Sequence, residues 1–372
     1  MKPLWKVLAC ALAAKLAVLA LVAASPWILP FFQPAYWANF QYPFDEEPTL
    51  RSCFKTWDAN HYLFLADWGY QPQHISSAFY PLLPFLLKLL RPLAGGDALV
   101  AGLVLSTAAF LGAVAYLFLL VRAERDEATA SRACLLLVAF PTTFYAGLLY
   151  TEALFLLLAV GLFFHLRRNE LGLATAFAFL LPLTRPTGLM VALPATVAVA
   201  ALAPAWRPAW RKLPMPLAFA VGFAAYLGIL YASTGDALAG FDAQKVFLAQ
   251  NSLANVLHPL DWFTRNFVEV KLSWNGFTTS VLDRAAFVLF VAAVATSWRR
   301  LDRAMLVFVL VVGGIPALTG SMTSYVRYVA VVFPLFACVA GRLGRAFPWV
   351  VGAGTVLQAA AVVVHASNRW IG

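Results

Sequence analysis

Charge is scarce in this chain. Only 12% of its 372 residues are Asp, Glu, Lys or Arg, against roughly 25% in soluble domains. Hydrophobic residues make up 62%, and the mean hydropathy is +0.78. A soluble enzyme and a disordered chain are both excluded. Cysteine is scarce too: Cys10, Cys53, Cys134 and Cys338 stand far apart, with no CxxC and no nearby histidine pair. Neither a disulfide framework nor a zinc site follows from them, and they read as small apolar fillers. HExxH, Asp-x-Asp and His-x-His spacings are missing, so no cofactor is expected and a divalent metal is not indicated, although His61 and His74 share one loop. The absence of a P-loop, a GxGxxG and a nucleophile-elbow serine speaks against nucleotide-driven transport, dinucleotide chemistry and serine hydrolysis. No internal repeat is visible, which weakens a transporter built from inverted halves.

What the chain does have is apolar runs of some 15 to 24 residues separated by short polar loops, the pattern of an all-α polytopic bundle rather than of a barrel. Eleven spans are expected, at about 6–29, 98–121, 132–145, 150–166, 171–184, 187–203, 217–233, 285–298, 304–318, 327–341 and 347–364. Several fall short of the ~20 residues needed to cross alone, so broken or tilted helices are expected around 140–150 and 184–187. The first run follows Lys2 and Lys6 like a signal peptide, with Ala23, Ala24 and Ser25 as a weak cleavage site. It continues through Trp27 to Phe32 and is read as a retained anchor.

The 27 basic residues exceed the 17 acidic ones by ten. With the N-terminus inside, the segments 1–6, 122–132, 167–170, 206–216, 299–303 and 341–345 hold 15 of the basic and 5 of the acidic residues. The excess is therefore a topology signal, not a nucleic-acid surface. Two outer loops, about 30–97 and 234–284, are too long to be connectors and are expected to carry function. Residues 78–92 hold Lys88, Arg91 and three prolines, and read as a helix in the outer interface rather than a span.

In the first outer loop, FKTWDANHYLFLADWGYQ (54–71) crowds aromatic, acidic and imidazole groups. If 57–67 is helical, Asp58, His61 and Tyr62 share one face while Asp67 points away. An ionised carboxylate held within reach of a hydroxyl can take its proton; the alternative is an interfacial aromatic belt with incidental polar residues. Glu152, Arg185 and Arg327 stand beside apolar spans on the same outer side. Two arginines and two carboxylates on one face suggest a site that holds an anionic head group and activates a neutral hydroxyl. A non-catalytic carrier of lipid or sugar would use similar arginines, but nearer the midplane.

These residues resemble a known family. Trp57-Asp58-Ala59-Asn60-His61-Tyr62, then Gly69-Tyr70 and Ala78-Phe79-Tyr80-Pro81-Leu82-Leu83-Pro84, are similar to the WDxxHY…GY…AFFPLYP signature of the PIG-V family. Phe140-Pro141 through Tyr150-Thr151-Glu152-Ala153-Leu154-Phe155, Thr184-Arg185-Pro186-Thr187-Gly188, and Ser324-Tyr325-Val326-Arg327-Tyr328 with Phe333-Pro334 are similar to its later elements, in order. The resemblance implies a C-type glycosyltransferase, one integral membrane domain over 1–372. It would take mannose from a polyprenyl- or dolichyl-phosphate donor, invert the anomeric centre, and pass the sugar to a lipid- or glycan-linked hydroxyl on the outer face. Asp58 falls on the expected base, with His61, Tyr62, Glu152, Arg185, Tyr325, Arg327 and Tyr328 as candidate substrate contacts. Another hexose or an amino sugar would suit the same fold. Thr151-Glu152-Ala153 and Arg185-Pro186-Thr187 depart from the family's Ser-Glu-Ser and Arg-Ser-Asn, which bears on the acceptor more than on the reaction. The chain is short beside eukaryotic members and lacks an Asn-x-Ser/Thr sequon. Both features favour a bacterial inner membrane with a periplasmic site over the endoplasmic reticulum.

Overall fold

The computed structural model describes residues 2–201, 213–248, 252–274 and 276–371. Among them the chain is helical, with one isolated β-bridge, Ser273 to Ser280, and no sheet. Helix α1 (Lys2–Ile28) is followed in the long segment 30–97 by α2 (Gln33–Ala38), α3 (Asp58–Trp68) and α4 (Leu82–Leu90). Then come α5 (Ala98–Glu124), α6 (Glu127–Ala139), α7 (Glu152–Arg167), α8 (Leu171–Leu180), α9 (Pro186–Met190) and α10 (Ala192–Ala201). After α11 (Pro214–Thr234), the second loop holds α12 (Ala239–Leu248) and α13 (Pro259–Phe263). The chain closes with α14 (Val281–Ser297), α15 (Arg303–Phe308), α16 (Ile315–Leu318), α17 (Tyr325–Ala330), α18 (Phe333–Ala340) and α19 (Phe347–Ala366).

Among the described residues five helical stretches are long and apolar enough to cross a membrane: Lys2–Ile28, Ala98–Glu124, Pro214–Thr234, Val281–Arg300 and Gly344–Ala366. The other six expected spans coincide with shorter helices, so the count of eleven is not reproduced by length. The 16 residues of α7 rise only about 24 Å, the runs at 187–203 and 327–341 are interrupted within themselves, and 304–318 passes through a π-helical stretch, Val309–Gly314. Such breaks are tolerated at membrane depth only where protein covers the freed backbone groups. That condition is met between α6 and α7, where Thr142 to Thr151 are all buried. There Lys15, buried in α1, reaches across to donate its Nζ–H to the carbonyl of Thr143 at 2.7 Å. The segment 78–92 forms a nine-residue α4 extended by a short turn, too short to cross, with Leu82, Leu83 and Leu87 buried.

The largest core wraps α7, which is buried on nearly every side and packs against α5, α8 and α10. A helix apolar all round belongs in such a central place. Capping acids set where the inner helices begin: Asp126 accepts from the Thr129 N–H and Asp302 from the Met305 N–H. At this end the basic loops meet. Arg167 pairs with Glu124 at 3.0 Å and with Asp302, Arg342 donates to the Thr296 carbonyl, and Arg125 lies 3.4 Å from Cys338 Sγ. Four of the six basic segments expected on one side thus share one end; residues 202–212, with the whole WRPAWRK stretch, lie outside the described residues.

Helices α8 and α11 touch so closely that a Cβ on Gly222 would sit 2.1 Å from the Phe179 carbonyl oxygen, whereas one on Gly228 would meet nothing within 4 Å. Gly222→Ala is expected to lower stability by about 1–3 kcal/mol, and Gly228→Ala, on the same helix, to leave it unchanged or raise it. Thermal unfolding in detergent reads both.

Candidate active site

Helix α3 starts at Asp58, directly after Trp57, whose φ of +53° is uncommon for a bulky side chain. Gly69, at φ +70°, ends it. The turn places Asp58, His61 and Tyr62 on one face, as their spacing requires. Asp67 points the other way, where it pairs with Arg91 and accepts from Tyr42 Oη at 2.9 Å.

Glu152 is the first residue of α7, 2% exposed, where the positive end of the helix dipole favours a carboxylate. Arg327 comes from α17 and bridges the two acids: its Nε donates to Glu152 Oε1 at 2.8 Å and its Nη1 to Asp58 Oδ2 at 2.9 Å. Its guanidinium lies 4.8 Å from the ring centres of both Tyr145 and Tyr150. Arg185, the residue before α9, brings Nη1 to 3.2 Å from the same Glu152 oxygen, and its guanidinium lies 5.0 Å from the Tyr328 ring. Two cations and two anions therefore share one buried site and cancel. Asp58 alone keeps a substantial exposed fraction, 22% of its side chain.

A cavity of about 530 Å³ opens on this cluster, and Asp58, His61, Tyr62, Arg185, Arg327 and Tyr328 are among the residues lining it. Two expected contacts are not brought to its wall. Glu152 sits behind the arginines, and Tyr325 turns into the second hydrophobic core, where its hydroxyl donates to the Gly313 carbonyl at 2.8 Å. Tyr325 is the first residue of α17, directly after the left-handed Ser324, and its ring packs against Phe287 and Phe290, whereas Tyr328 lines the cavity. His61 is stacked between Phe40 and Phe79, with ring centres 4.4 and 4.3 Å away, and its Nδ1 lies 2.8 Å from Ser76 Oγ. Burial pushes its pKa down to about 3, so it is neutral at physiological pH. Among the described residues no three His, Cys, Asp or Glu side chains gather as a metal-ligand set. A further cavity of about 620 Å³ lies at the opposite end beside Arg122, Glu124, Arg167 and Asp302, but the Arg167 ion pairs already satisfy its charges.

Sequence reasoning missed several supporting residues. Asp283 is fully buried, and its Oδ1 accepts from the Val326 N–H at 2.9 Å, while Thr142 Oγ1 donates to the Val326 carbonyl at 2.8 Å. Together they hold the backbone next to Arg327. The signal available was the Asp283–Arg284 pair opening an apolar run. Trp370, whose ring lies 5.1 Å from that of Trp57, also lines the cavity; nothing in its local sequence marks it.

Two outcomes follow. Glu152→Gln leaves Arg327 and Arg185 without their shared buried counter-ion, and the unfolding free energy is expected to drop by about 3–5 kcal/mol. For His61, the unfolded imidazole takes up a proton below about pH 6.5 and the folded one only near 3. Its contribution to stability is therefore full above about 6.5 and lost as pH falls through that window. The stability gap between wild type and His61→Gln should narrow from pH 7 to pH 5; a constant gap would refute the neutral, buried assignment.

Residues 46–199 match the family described as mannosyltransferase (PIG-V). Over 141 residues the chain is 35% identical to GPI alpha-1,6-mannosyltransferase 2 of Homo sapiens, an alignment covering 33% of this chain and 27% of that protein. In overall chain trace it is similar to the crystal structures of the Archaeoglobus fulgidus oligosaccharyltransferase. The form with Zn and sulfate matches with a TM-score of 0.48 and 14% identity, over 98% of this chain and 53% of that one. The apo form matches with a TM-score of 0.44 and 12% identity, over 97% and 56%. The resemblance carried by the WDANHY, YTEALF and TRPTG motifs is thus borne out over the segment that supplies Asp58, Glu152 and Arg185: residues 46–199 match the PIG-V mannosyltransferase family.

Proposed function

We propose that this chain is a membrane mannosyltransferase. It moves mannose from a polyprenyl- or dolichyl-phosphate donor to a hydroxyl of a lipid- or glycan-linked acceptor, on the membrane face opposite the basic loops. By the positive-inside rule that face is the outer one, the periplasmic side of a bacterial inner membrane. The observation that carries the reading is Asp58, a partly exposed carboxylate at a cavity wall, aimed by Arg327 and accompanied by a second buried arginine.

The chemistry is a single displacement. Asp58 takes the proton of the acceptor hydroxyl as its oxygen bonds to the anomeric carbon, while the carbon–oxygen bond to the lipid phosphate breaks and its electron pair leaves with the phosphate. Attack opposite the leaving group inverts the centre. The two arginines divide the work. Arg327 Nε and Nη1 are already committed to the carboxylates, so its part is to fix Asp58. Arg185 Nη1 makes no hydrogen bond of good geometry despite its nearness to Glu152, and Arg185 lines the cavity. It is the cation with capacity left for phosphate oxygens, which a guanidinium fork suits. A neutral His61 can exchange hydrogen bonds with sugar hydroxyls without adding charge, and Tyr62 and Tyr328 complete the wall. No cofactor enters this scheme.

The test is sugar transfer by purified protein, with polyprenyl-phosphate mannose as donor and a membrane-lipid extract as acceptor pool, products read by mass. Wild type is expected to form a new hexose-bearing species. Asp58→Asn should retain the fold but lose on the order of 10² to 10⁴ in rate. Arg185→Lys, which substitutes a point charge for a fork, should raise the donor KM. A wild type that leaves the donor untouched, also with other polyprenyl-phosphate sugars, would overturn the assignment.

A further inference from the structure

We infer that His365, in the last turn of α19, is a positioning residue that sets the geometry of the Asp58–Arg327 pair. This inference rests on the role of Asp58 proposed above. The imidazole is 1% exposed and lies in an apolar helix, an expensive place for a titratable ring. Both of its nitrogens are engaged. Nε2 lies 2.9 Å from Thr56 Oγ1 and 3.3 Å from Tyr150 Oη, and Nδ1 lies 3.4 Å from Tyr145 Oη.

The protons can be assigned from the surrounding network. Tyr145 Oη donates to the Ile371 carbonyl at 2.8 Å, and Tyr150 Oη to the Thr56 carbonyl at 3.0 Å. Having donated its proton, Tyr145 Oη accepts from Nδ1–H, and Nε2 accepts from the Thr56 hydroxyl. His365 is the neutral Nδ1–H tautomer, tied to both sides of the site. On one side is Thr56, held by its hydroxyl to the ring and by its carbonyl to Tyr150. Only Trp57, at its unusual positive φ, separates it from Asp58. On the other side are Tyr145 and Tyr150, the two rings that flank the Arg327 guanidinium. One imidazole therefore locates the base and its arginine together, although it is hydrogen-bonded to neither. Its hydrogen bonds run to Thr56 and the two tyrosines and not to Arg185, on which the donor phosphate is placed.

That separation supplies the readout. His365→Phe keeps a planar ring but removes both hydrogen bonds. It is expected to lower kcat on the order of 10- to 100-fold, as small misplacements of a catalytic group do, with the donor KM within about threefold of wild type. His365→Gln offers an acceptor and a donor again and should recover most of the loss. Thr56→Val cuts one of the same links, so its effect should not add to that of His365→Phe. Amide exchange over residues 55–60 gives a readout free of turnover, and these amides should exchange faster in His365→Phe than in wild type. An unchanged kcat in His365→Phe, or a donor KM that rises in step with the fall in kcat, would overturn the inference. If His365→Phe does not fold, Thr56→Val decides: a several-fold fall in kcat at constant donor KM is expected, and an unchanged kcat is fatal. A wild type without transfer would overturn the enzyme reading instead. In that case unaltered exchange over 55–60 in either variant would refute the positioning role separately.

Discussion

The Arg327 guanidinium is the centre on which this structure depends. A buried cation is tolerated only when its charge is matched and its N–H groups are satisfied. Arg327 meets both conditions with residues far away in sequence: Asp58 on α3, Glu152 at the start of α7, and Tyr145 and Tyr150 from the buried turn between α6 and α7. Each partner in turn constrains its own element. Helix α17 is held by Asp283 and Thr142 through the backbone of Val326, so the guanidinium is delivered at a set height and angle. The buried turn is braced from below by Lys15.

This constraint explains why the apolar runs at the outer end are broken rather than continuous. An unbroken helix through 140–151 or through 318–333 would carry these side chains past the site. Short helices and left-handed residues such as Met322 and Ser324 turn the chain so that several N-termini and side chains converge. The end that gathers the basic loops shows the opposite design, with capped helices and ion pairs suited to a membrane surface. The molecule is polarised accordingly, with ion-paired basic loops at one end and a buried charge cluster beside a cavity at the other. In the cluster around Arg327 the formal charges of Asp58, Glu152, Arg185 and Arg327 cancel among themselves.

Much of this was legible from local patterns. Most of the apolar runs coincided with helical stretches, because the cost of leaving peptide groups unpaired in lipid forces helix formation wherever hydrophobicity is sustained, although 132–145 ends in the buried turn after α6 (Glu127–Ala139) and 327–341 divides into α17 and α18. The 3.6-residue period placed Asp58, His61 and Tyr62 on one face before any fold was known. Glu152, Arg185 and Arg327 stood out because charge beside a span is costly and is kept for a reason. The depth of each side chain was not legible. Glu152 was expected to meet substrate but lies behind the arginines, and Tyr325 was expected beside Tyr328 but fills a separate core. Crossing length was equally hidden, since the apolar stretches Leu171–Leu183, Pro186–Ala201 and Arg303–Leu318 were expected as spans but are shorter than the membrane is thick.

The sequence by itself determined that the chain is a helical membrane protein, which basic loops lie at one end, and which few charged residues stand beside apolar runs at the other. All of these follow from short-range rules of hydrophobicity, periodicity and charge cost that act within one helix or at one loop. Only the tertiary structure decided that Arg327 bridges Asp58 and Glu152, that His365 ties Thr56 to the tyrosines around Arg327, and that Trp370 closes the wall beside Trp57. Those pairings join positions up to about 300 residues apart. They arise from the packing of whole helices, in which the partner of a buried polar group is chosen by geometry and not by its place along the chain.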